Sequence, residues 1–180
     1  MPRSARIATA LASFRARYGQ VLEWVVGALM VVLFVEVTLG VVFRALGQAL
    51  IWYDELASAL LAWLTFYGAA LASVRRGHIG CPELVETLAW PARRLVSIIA
   101  QIIVIAFFIL LGGVGASILP ILATDSMVSL SWVPMSVVQS VIPISATLIV
   151  IAEITHLLDL FVATRPPRPD GGAALADGLN

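Results

Sequence analysis

Four long apolar stretches constrain the fold of this chain more than any other feature of its sequence. A hydrocarbon core about 30 Å thick requires roughly 20 consecutive apolar residues in a helix that crosses it. Four stretches reach that length with Glu36 as their single charged residue: about Trp24 to Phe43, Leu56 to Val74, Leu95 to Thr124, and Ser126 to Ala152. We therefore predict an all-α membrane protein with four transmembrane helices, at about residues 22–45, 52–75, 93–119 and 131–160.

The composition excludes a soluble globule. Hydrophobic residues make up 61% and charged residues 12% of the 180-residue chain, whereas soluble domains are about a quarter charged. A domain of this size cannot bury so much apolar surface, because small globules hide only a limited share of their surface. A membrane β-barrel is also excluded, since the run from Ile102 to Phe108 lacks the alternation of apolar and polar residues that barrel strands have.

Charge and cysteine content exclude several functions. Eleven arginines balance eleven acidic residues, so the chain has no basic excess for binding nucleic acid. The single cysteine excludes a disulfide scaffold and a cysteine-rich metal site. The sequence contains no nucleophile elbow, phosphate-binding loop or paired metal-ligand motif. We therefore predict no enzymatic activity, no cofactor and no bound metal, and a chain surrounded by membrane lipid.

The positions of the arginines predict how the chain is oriented. Four arginines precede the first span (Arg3, Arg6, Arg15 and Arg17), and four separate the second span from the third (Arg75, Arg76, Arg93 and Arg94). Two follow the fourth span, Arg165 and Arg168. The connection after the first span has only Arg44, at the helix end, and the connection after the third has none. Because cationic segments stay in the cytoplasm, both termini are predicted to be cytoplasmic. Trp52, Tyr53 and Trp132 then fall at the outer interface, which amphipathic aromatic rings favour.

Three segments lie outside the spans. Residues 1–18 have apolar residues at helical spacing among arginines, which predicts an amphipathic helix on the cytoplasmic membrane surface. Pro82 to Trp90 has one apolar and one polar side, which predicts a short in-plane helix between spans two and three. Residues 164–180 are rich in proline and glycine and are expected to form a disordered cytoplasmic tail, leaving residues 19–163 as the membrane domain.

Glu36 lies near the middle of the first span, where an acidic side chain is costly and commonly functional. The thirteen Leu, Val and Phe residues of that span favour insertion by roughly 4–8 kcal/mol, which exceeds the ~3 kcal/mol cost of one acid. Glu36 could be a proton or cation site, a buried group that hydrogen-bonds a neighbouring helix, or a contact to another subunit. The second interpretation is favoured, because one acid does not supply the several oxygen ligands that a cation needs.

Asp54 and Glu55 open the second span, directly after Trp52. Neighbouring helical side chains point about 100° apart, so these two carboxylates do not converge for acid–base chemistry. Acids in the first turn of a helix instead interact favourably with its macrodipole. Arg44, across the short outer connection, is the expected ion-pair partner at this end of span two.

The two histidines are interpreted as structural. His78 follows an Arg-Arg-Gly sequence and is expected to order the turn after span two, although a ligand or proton-shuttle role is an alternative. Glu153, His156 and Asp159 share one helical face near the inner end of span four and could bind a cation. We expect headgroup-depth solvation of these three side chains instead.

Small residues and prolines predict how the helices pack. Small side chains four residues apart allow helices to approach closely in lipid, and three such pairs occur: Ser58 with Ala62, Gly68 with Ala72, and Gly112 with Ala116. Pro143 is expected to kink span four, and Pro120 to end span three.

Several of these residues, taken in order, resemble the small membrane subunit of tripartite ATP-independent periplasmic (TRAP) transporters, the DctQ-like family. The resemblance covers about Glu23 to Asp159. Arg44 after span one is followed by five matching segments: Trp52-Tyr53-Asp54-Glu55, Trp63-Leu64-Thr65-Phe66-Tyr67-Gly68-Ala69-Ala70, Arg75-Arg76-Gly77-His78-Ile79, Ser129-Leu130-Ser131-Trp132 and Val141-Ile142-Pro143-Ile144.

The resemblance implies a function in the bacterial inner membrane. The chain would be a small permease subunit that braces a large membrane subunit during sodium-driven uptake of an organic acid, which a periplasmic binding protein delivers. The large subunit, the binding protein and membrane lipid would be its partners. A group of candidate residues would then serve folding and interface contacts: Glu36, Arg44, Trp52, Glu55, Gly68, His78 and Pro143. Among them, Glu55 would tie the outer end of span two to Arg44 or to the large subunit.

Two rival functions remain open from the sequence. One is a stand-alone homo-oligomeric transporter in which Glu36 carries a proton. The other is a membrane-embedded enzyme that uses Glu36 or His78, against which the scarcity of convergent polar groups argues. The sequence does not identify the transported substrate, because the family assigns that choice to the other two components.

Overall fold

The computed structural model describes residues 3–75 and 90–162 of the chain. These residues form five helices: α1 (Arg3–Ala45), α2 (Tyr53–Val74), α3 (Trp90–Leu122), α4 (Met135–Gln139) and α5 (Val141–Val162). Within the described ranges there is no strand, although Ser126 and Pro134 form an isolated antiparallel bridge. Four segments there are long and apolar enough to cross a membrane: Thr9–Ala45, Tyr53–Val74, Pro91–Leu122 and Met135–Phe161. For the described residues, the prediction of an all-helical chain with four segments long and apolar enough to cross a membrane is confirmed.

Helix α1 is continuous over 43 residues, which makes it about 65 Å long and about twice as long as the hydrocarbon core is thick. It passes through the predicted boundary between residues 18 and 19 without interruption. Arg75, directly after α2, forms an ion pair with Glu23. The end of α2 therefore lies beside Gly19 to Glu23 of α1, since a Cβ at Gly19 would be 3.5 Å from Cγ1 of Val74.

The end of α1 is set by Gly47, whose φ of 78° lies in the left-handed region that glycine favours. Two backbone N–H groups after the helix bind carbonyl oxygens of its last turn. Gly47 donates to Arg44 at 3.1 Å, and Gln48 donates to Phe43 at 2.9 Å. These bonds satisfy carbonyl groups that would otherwise end the helix without partners.

The inner face of α1 follows a seven-residue repeat. Leu22, Glu36 and Gly40 are buried, and Leu29 and Leu33 between them are half-buried. Spacings of three, four and seven residues keep one face turned toward a neighbouring helix when two helices cross at a small angle. That neighbour is α2, against which α1 makes most of its contacts. Glu36 therefore occupies an inward-facing position of this helix pair.

The long helices pack in the spatial order α1, α2, α5, α3. Their shared core is a cluster of small and aliphatic side chains from three helices: Leu22, Ala70, Val74, Ile149 and Ala152. Large apolar side chains cover much of the outer surface, including Trp24, Phe34 and Phe107. Such exposure would be unfavourable in water and suits a protein surrounded by lipid.

The fourth span is divided at Ser140, between α4 and α5. Pro143 was predicted to kink this span, and the interruption lies three residues before it. Pro143 is the third residue of α5, a first-turn position where its missing N–H breaks no intrahelical hydrogen bond. At the interruption the carbonyl oxygen of Val138 accepts a 3.0 Å hydrogen bond from the indole N–H of Trp63, which joins α4 to α2.

Pro120 lies inside α3, and the helix continues for two more residues to Leu122. The helix therefore ends two residues later than predicted. Proline removes one hydrogen bond without preventing the next residues from remaining helical. The predicted in-plane helix falls outside the described residues except for Trp90, where α3 begins. His78 and the predicted disordered tail also lie outside the described residues.

Candidate functional site

A buried polar cluster joins three of the four spanning helices. Its centre is Glu153 of α5, whose side chain is 7% exposed. One carboxylate oxygen accepts a hydrogen bond from the hydroxyl of Ser73 in α2, and the other accepts one from the amide of Gln101 in α3. The Gln101 amide also donates to the backbone carbonyl of Glu153 at 3.1 Å. Since each donor comes from a different helix, Glu153 fixes α2, α3 and α5 relative to one another.

His156 extends this cluster to α1. Its Nε2 lies 2.9 Å from the backbone oxygen of Ser73, and its Nδ1 lies 3.3 Å from a guanidinium nitrogen of Arg15. A carbonyl oxygen only accepts and a guanidinium only donates. Both contacts are hydrogen bonds when His156 is neutral and carries its proton on Nε2. Arg15 also forms an ion pair with Asp159, and the hydroxyl of Tyr18 donates to the backbone oxygen of Leu148 at 2.8 Å, so two side chains of α1 bind α5.

The structure corrects the interpretation of Glu153 and His156 as side chains solvated at headgroup depth. Both are buried, and Asp159 is half-buried. Their partners on other helices were missed, namely Ser73 and Gln101. The signal in the sequence was the presence of these two polar residues within otherwise apolar spans, where buried polar groups require partners.

Glu55 is bound by the loop between α3 and α4. Its carboxylate accepts hydrogen bonds from the backbone N–H of Val128 at 2.9 Å, the backbone N–H of Ser129 at 2.8 Å, and the hydroxyl of Ser129. Among the described residues, Arg44 makes no ion pair with Glu55, although Arg44 was one of its predicted partners. Glu55 therefore ties the start of α2 to the α3–α4 loop of the same chain.

Loss of this carboxylate is expected to release the loop. We predict that Glu55→Ala destabilises the protein by about 1–3 kcal/mol, because two backbone N–H groups lose a charged acceptor. Amide hydrogen exchange at Val128 and Ser129 should accelerate by about tenfold for each 1.4 kcal/mol lost locally. Asp54→Ala is the matched control, since Asp54 is the exposed neighbour. Equal exchange in the two variants would contradict the assignment.

Glu36 is 7% exposed and faces α2. Neither of its carboxylate oxygens has a hydrogen-bond partner in the part of the chain that the structure describes. The favoured interpretation, a hydrogen bond to a neighbouring helix, therefore has no counterpart within residues 3–75 and 90–162. The same residues contain no group of three or more His, Cys, Asp or Glu side chains arranged to hold a metal ion.

The remaining candidate residues lie apart from the polar cluster. Arg44 is exposed in the last turn of α1, and Trp52 is half-buried directly before α2. A side chain added at Gly68 would meet no other atom within 4 Å, whereas one added at Gly112 would lie 3.1 Å from Ala146 of α5. Of these two glycines, only Gly112 lies in close contact with another helix of the described structure.

Comparison with known proteins gives a consistent assignment. The sequence profile of the family described as tripartite ATP-independent periplasmic transporters, DctQ component, matches residues 33–163, which is more than half of the chain. A 55-residue stretch is also 38% identical to the C4-dicarboxylate TRAP transporter small permease protein DctQ of Pseudomonas aeruginosa. That stretch covers 31% of this chain and 26% of the relative. Given its four long apolar helices and this match, the chain belongs to the DctQ component family of TRAP transporters.

Proposed function

We propose that this small permease subunit braces a large membrane subunit in the sodium-driven uptake of an organic acid, which a periplasmic binding protein delivers. The family and the four long apolar helices support a multi-pass protein of the inner membrane. The P. aeruginosa relative is named for C4-dicarboxylates, so a C4-dicarboxylate is the first substrate to test.

The observation that carries this proposal is the hydrogen-bonded cluster around Glu153. A bracing subunit must resist deformation while its partner moves, and contacts among four spanning helices supply that resistance. Ser73, Gln101 and Glu153 join α2, α3 and α5, while Arg15 joins α1 to α5. Apolar surface on α1 and α3, such as Trp24 and Phe107, offers area for packing against another membrane protein.

The proposed orientation places both termini in the cytoplasm. The arginine distribution supports this orientation. Arg15 and Arg75 also lie near the same end of the helices, where both border one cavity. Replacing the single cysteine, Cys81, by serine allows new cysteines to be introduced one at a time. A membrane-impermeant thiol reagent applied to intact cells should label a cysteine at Val128 and leave one at Ser4 unlabelled. The reverse pattern would refute the orientation.

The function itself is tested by copurification and transport. In mild detergent, the tagged chain should retain a large polytopic membrane protein at a fixed ratio. Liposomes containing both proteins should take up a C4-dicarboxylate when a binding protein and an inward sodium gradient are present. Transport by this chain alone would contradict the bracing role and favour a stand-alone transporter. Loss of that transport in Glu36→Gln would then identify Glu36 as its proton carrier.

A further inference from the structure

A cavity of about 290 Å³ opens where α1, α2 and α5 meet near the end of α2. Two cationic side chains, one imidazole, one amide and two small residues are among those that line it: Arg15, Arg75, His156, Gln20, Ala16 and Gly19. The small residues leave the space open, and the polar ones surround it. No part of the proposed transport function uses this cavity.

The depth of the cavity matches that of lipid headgroups. Helix α2 has 22 residues, so it rises about 33 Å along its axis, close to the 30 Å of the hydrocarbon core. Arg75 directly follows the last residue of α2. A guanidinium at this position therefore lies at the membrane boundary, where phosphate groups of phospholipids are found.

Both arginines are held in place by carboxylates. Arg15 contacts Asp159 and His156 through the same nitrogen, Nη1, and Arg75 contacts Glu23 through one Nη2. A guanidinium has five N–H donors, so these contacts use only some of the donors on each side chain. The Arg15 side chain is 22% exposed and the Arg75 side chain 62% exposed, so the conformational-entropy cost of binding an anion is reduced mainly at Arg15.

Arginine suits phosphate better than other cationic groups do, because its planar fork donates two parallel hydrogen bonds to two oxygens. The Nδ1 of His156 lies 3.3 Å from the Nη1 of Arg15, beside the ion pair of that arginine with Asp159. We propose that this cavity binds a phosphate anion, carried either on the headgroup of an anionic phospholipid or free in solution. Arg15 and Arg75 bind its oxygens, and Gln20 supplies a further amide donor.

Binding is measured on the full chain purified with the subunit that accompanies it. Native mass spectrometry compares phosphatidylglycerol with phosphatidylcholine, and equilibrium dialysis measures inorganic phosphate. The double variant Arg15→Gln, Arg75→Gln should weaken binding of phosphatidylglycerol or of inorganic phosphate, whichever the native protein binds, by at least about tenfold. Arg17→Gln should leave it unchanged, since Arg17 is exposed two residues away on the same helix and does not line the cavity.

A second variant protects the test against misfolding. Ala16→Phe fills the cavity and leaves both arginines and their ion pairs intact, so it should also abolish binding. Preference for phosphatidylglycerol over phosphatidylcholine supports a lipid source. A soluble source is supported if the native protein binds inorganic phosphate, both variants lose that binding, and phosphatidylglycerol is not preferred over phosphatidylcholine. If both variants retain the native affinity for phosphatidylglycerol and for inorganic phosphate, the proposal is wrong.

Discussion

Replacing Glu153 by alanine is expected to lower the free energy of unfolding by about 2–4 kcal/mol. The variant leaves the hydroxyl of Ser73 and the amide of Gln101 without their carboxylate acceptor at the junction of three helices. A buried donor that loses its acceptor bears the full cost of desolvation, which applies to Ser73, whereas the half-buried Gln101 keeps its hydrogen bond to the backbone oxygen of residue 153. The measurement is SDS-induced unfolding of the purified chain in mild detergent.

Two further variants distinguish this mechanism from a general loss of packing. Removing the donors together with the acceptor, in the triple variant Glu153→Leu, Ser73→Ala, Gln101→Leu, should recover most of the lost stability, because no buried polar group then lacks a partner. Thr147→Ala is the matched control on α5, since Thr147 is exposed and its hydroxyl bonds within its own helix. If Glu153→Ala and Thr147→Ala have equal free energies of unfolding, the proposed role of the cluster is wrong.

Gly115→Ala is expected to destabilise the protein by about 1–3 kcal/mol, the cost of forcing extra volume into a packed contact. A Cβ at Gly115 would lie 2.8 Å from Cγ2 of Ile142 and 3.3 Å from Cδ of Pro143, where α3 meets α5. Gly113→Ala is the control two residues away, because a Cβ there meets nothing within 4 Å. That substitution should be neutral or stabilise by up to about 1 kcal/mol, since alanine favours the helix over glycine. Both variants are compared in the same SDS titration.

The same comparison applies to α1 and α2. A Cβ at Gly40 would overlap the ring of Tyr53, whereas one at Gly27 would have open space. We expect Gly40→Ala to be destabilising by about 1–3 kcal/mol and Gly27→Ala to be tolerated. Tyr53→Ala should rescue Gly40→Ala, because it removes the ring that the new methyl group contacts. No difference between the two glycine variants would contradict the close approach of α1 and α2.

At the buried polar cluster, the sequence identifies the residues of one helical face but not their partners on other helices. Glu153, His156 and Asp159 were recognised as one helical face because the helix period places them together. Their partners Arg15, Ser73 and Gln101 could not be inferred from sequence, because the pairing depends on how four helices rotate and slide against one another. Glu55 was expected to bind Arg44 or the large subunit, and within the described residues it is bound instead by a loop more than seventy residues further along the chain.

The sequence by itself determined the class of this protein and its family. A backbone in lipid must satisfy its own hydrogen bonds, so four apolar stretches of sufficient length lead to four spanning helices whatever their neighbours are. Only the tertiary structure decided which polar side chains meet, where the fourth span is interrupted, and which glycines allow close contact. These features arise from contacts between distant segments, and the energies of those contacts depend on distances of a few tenths of an ångström that no local pattern specifies.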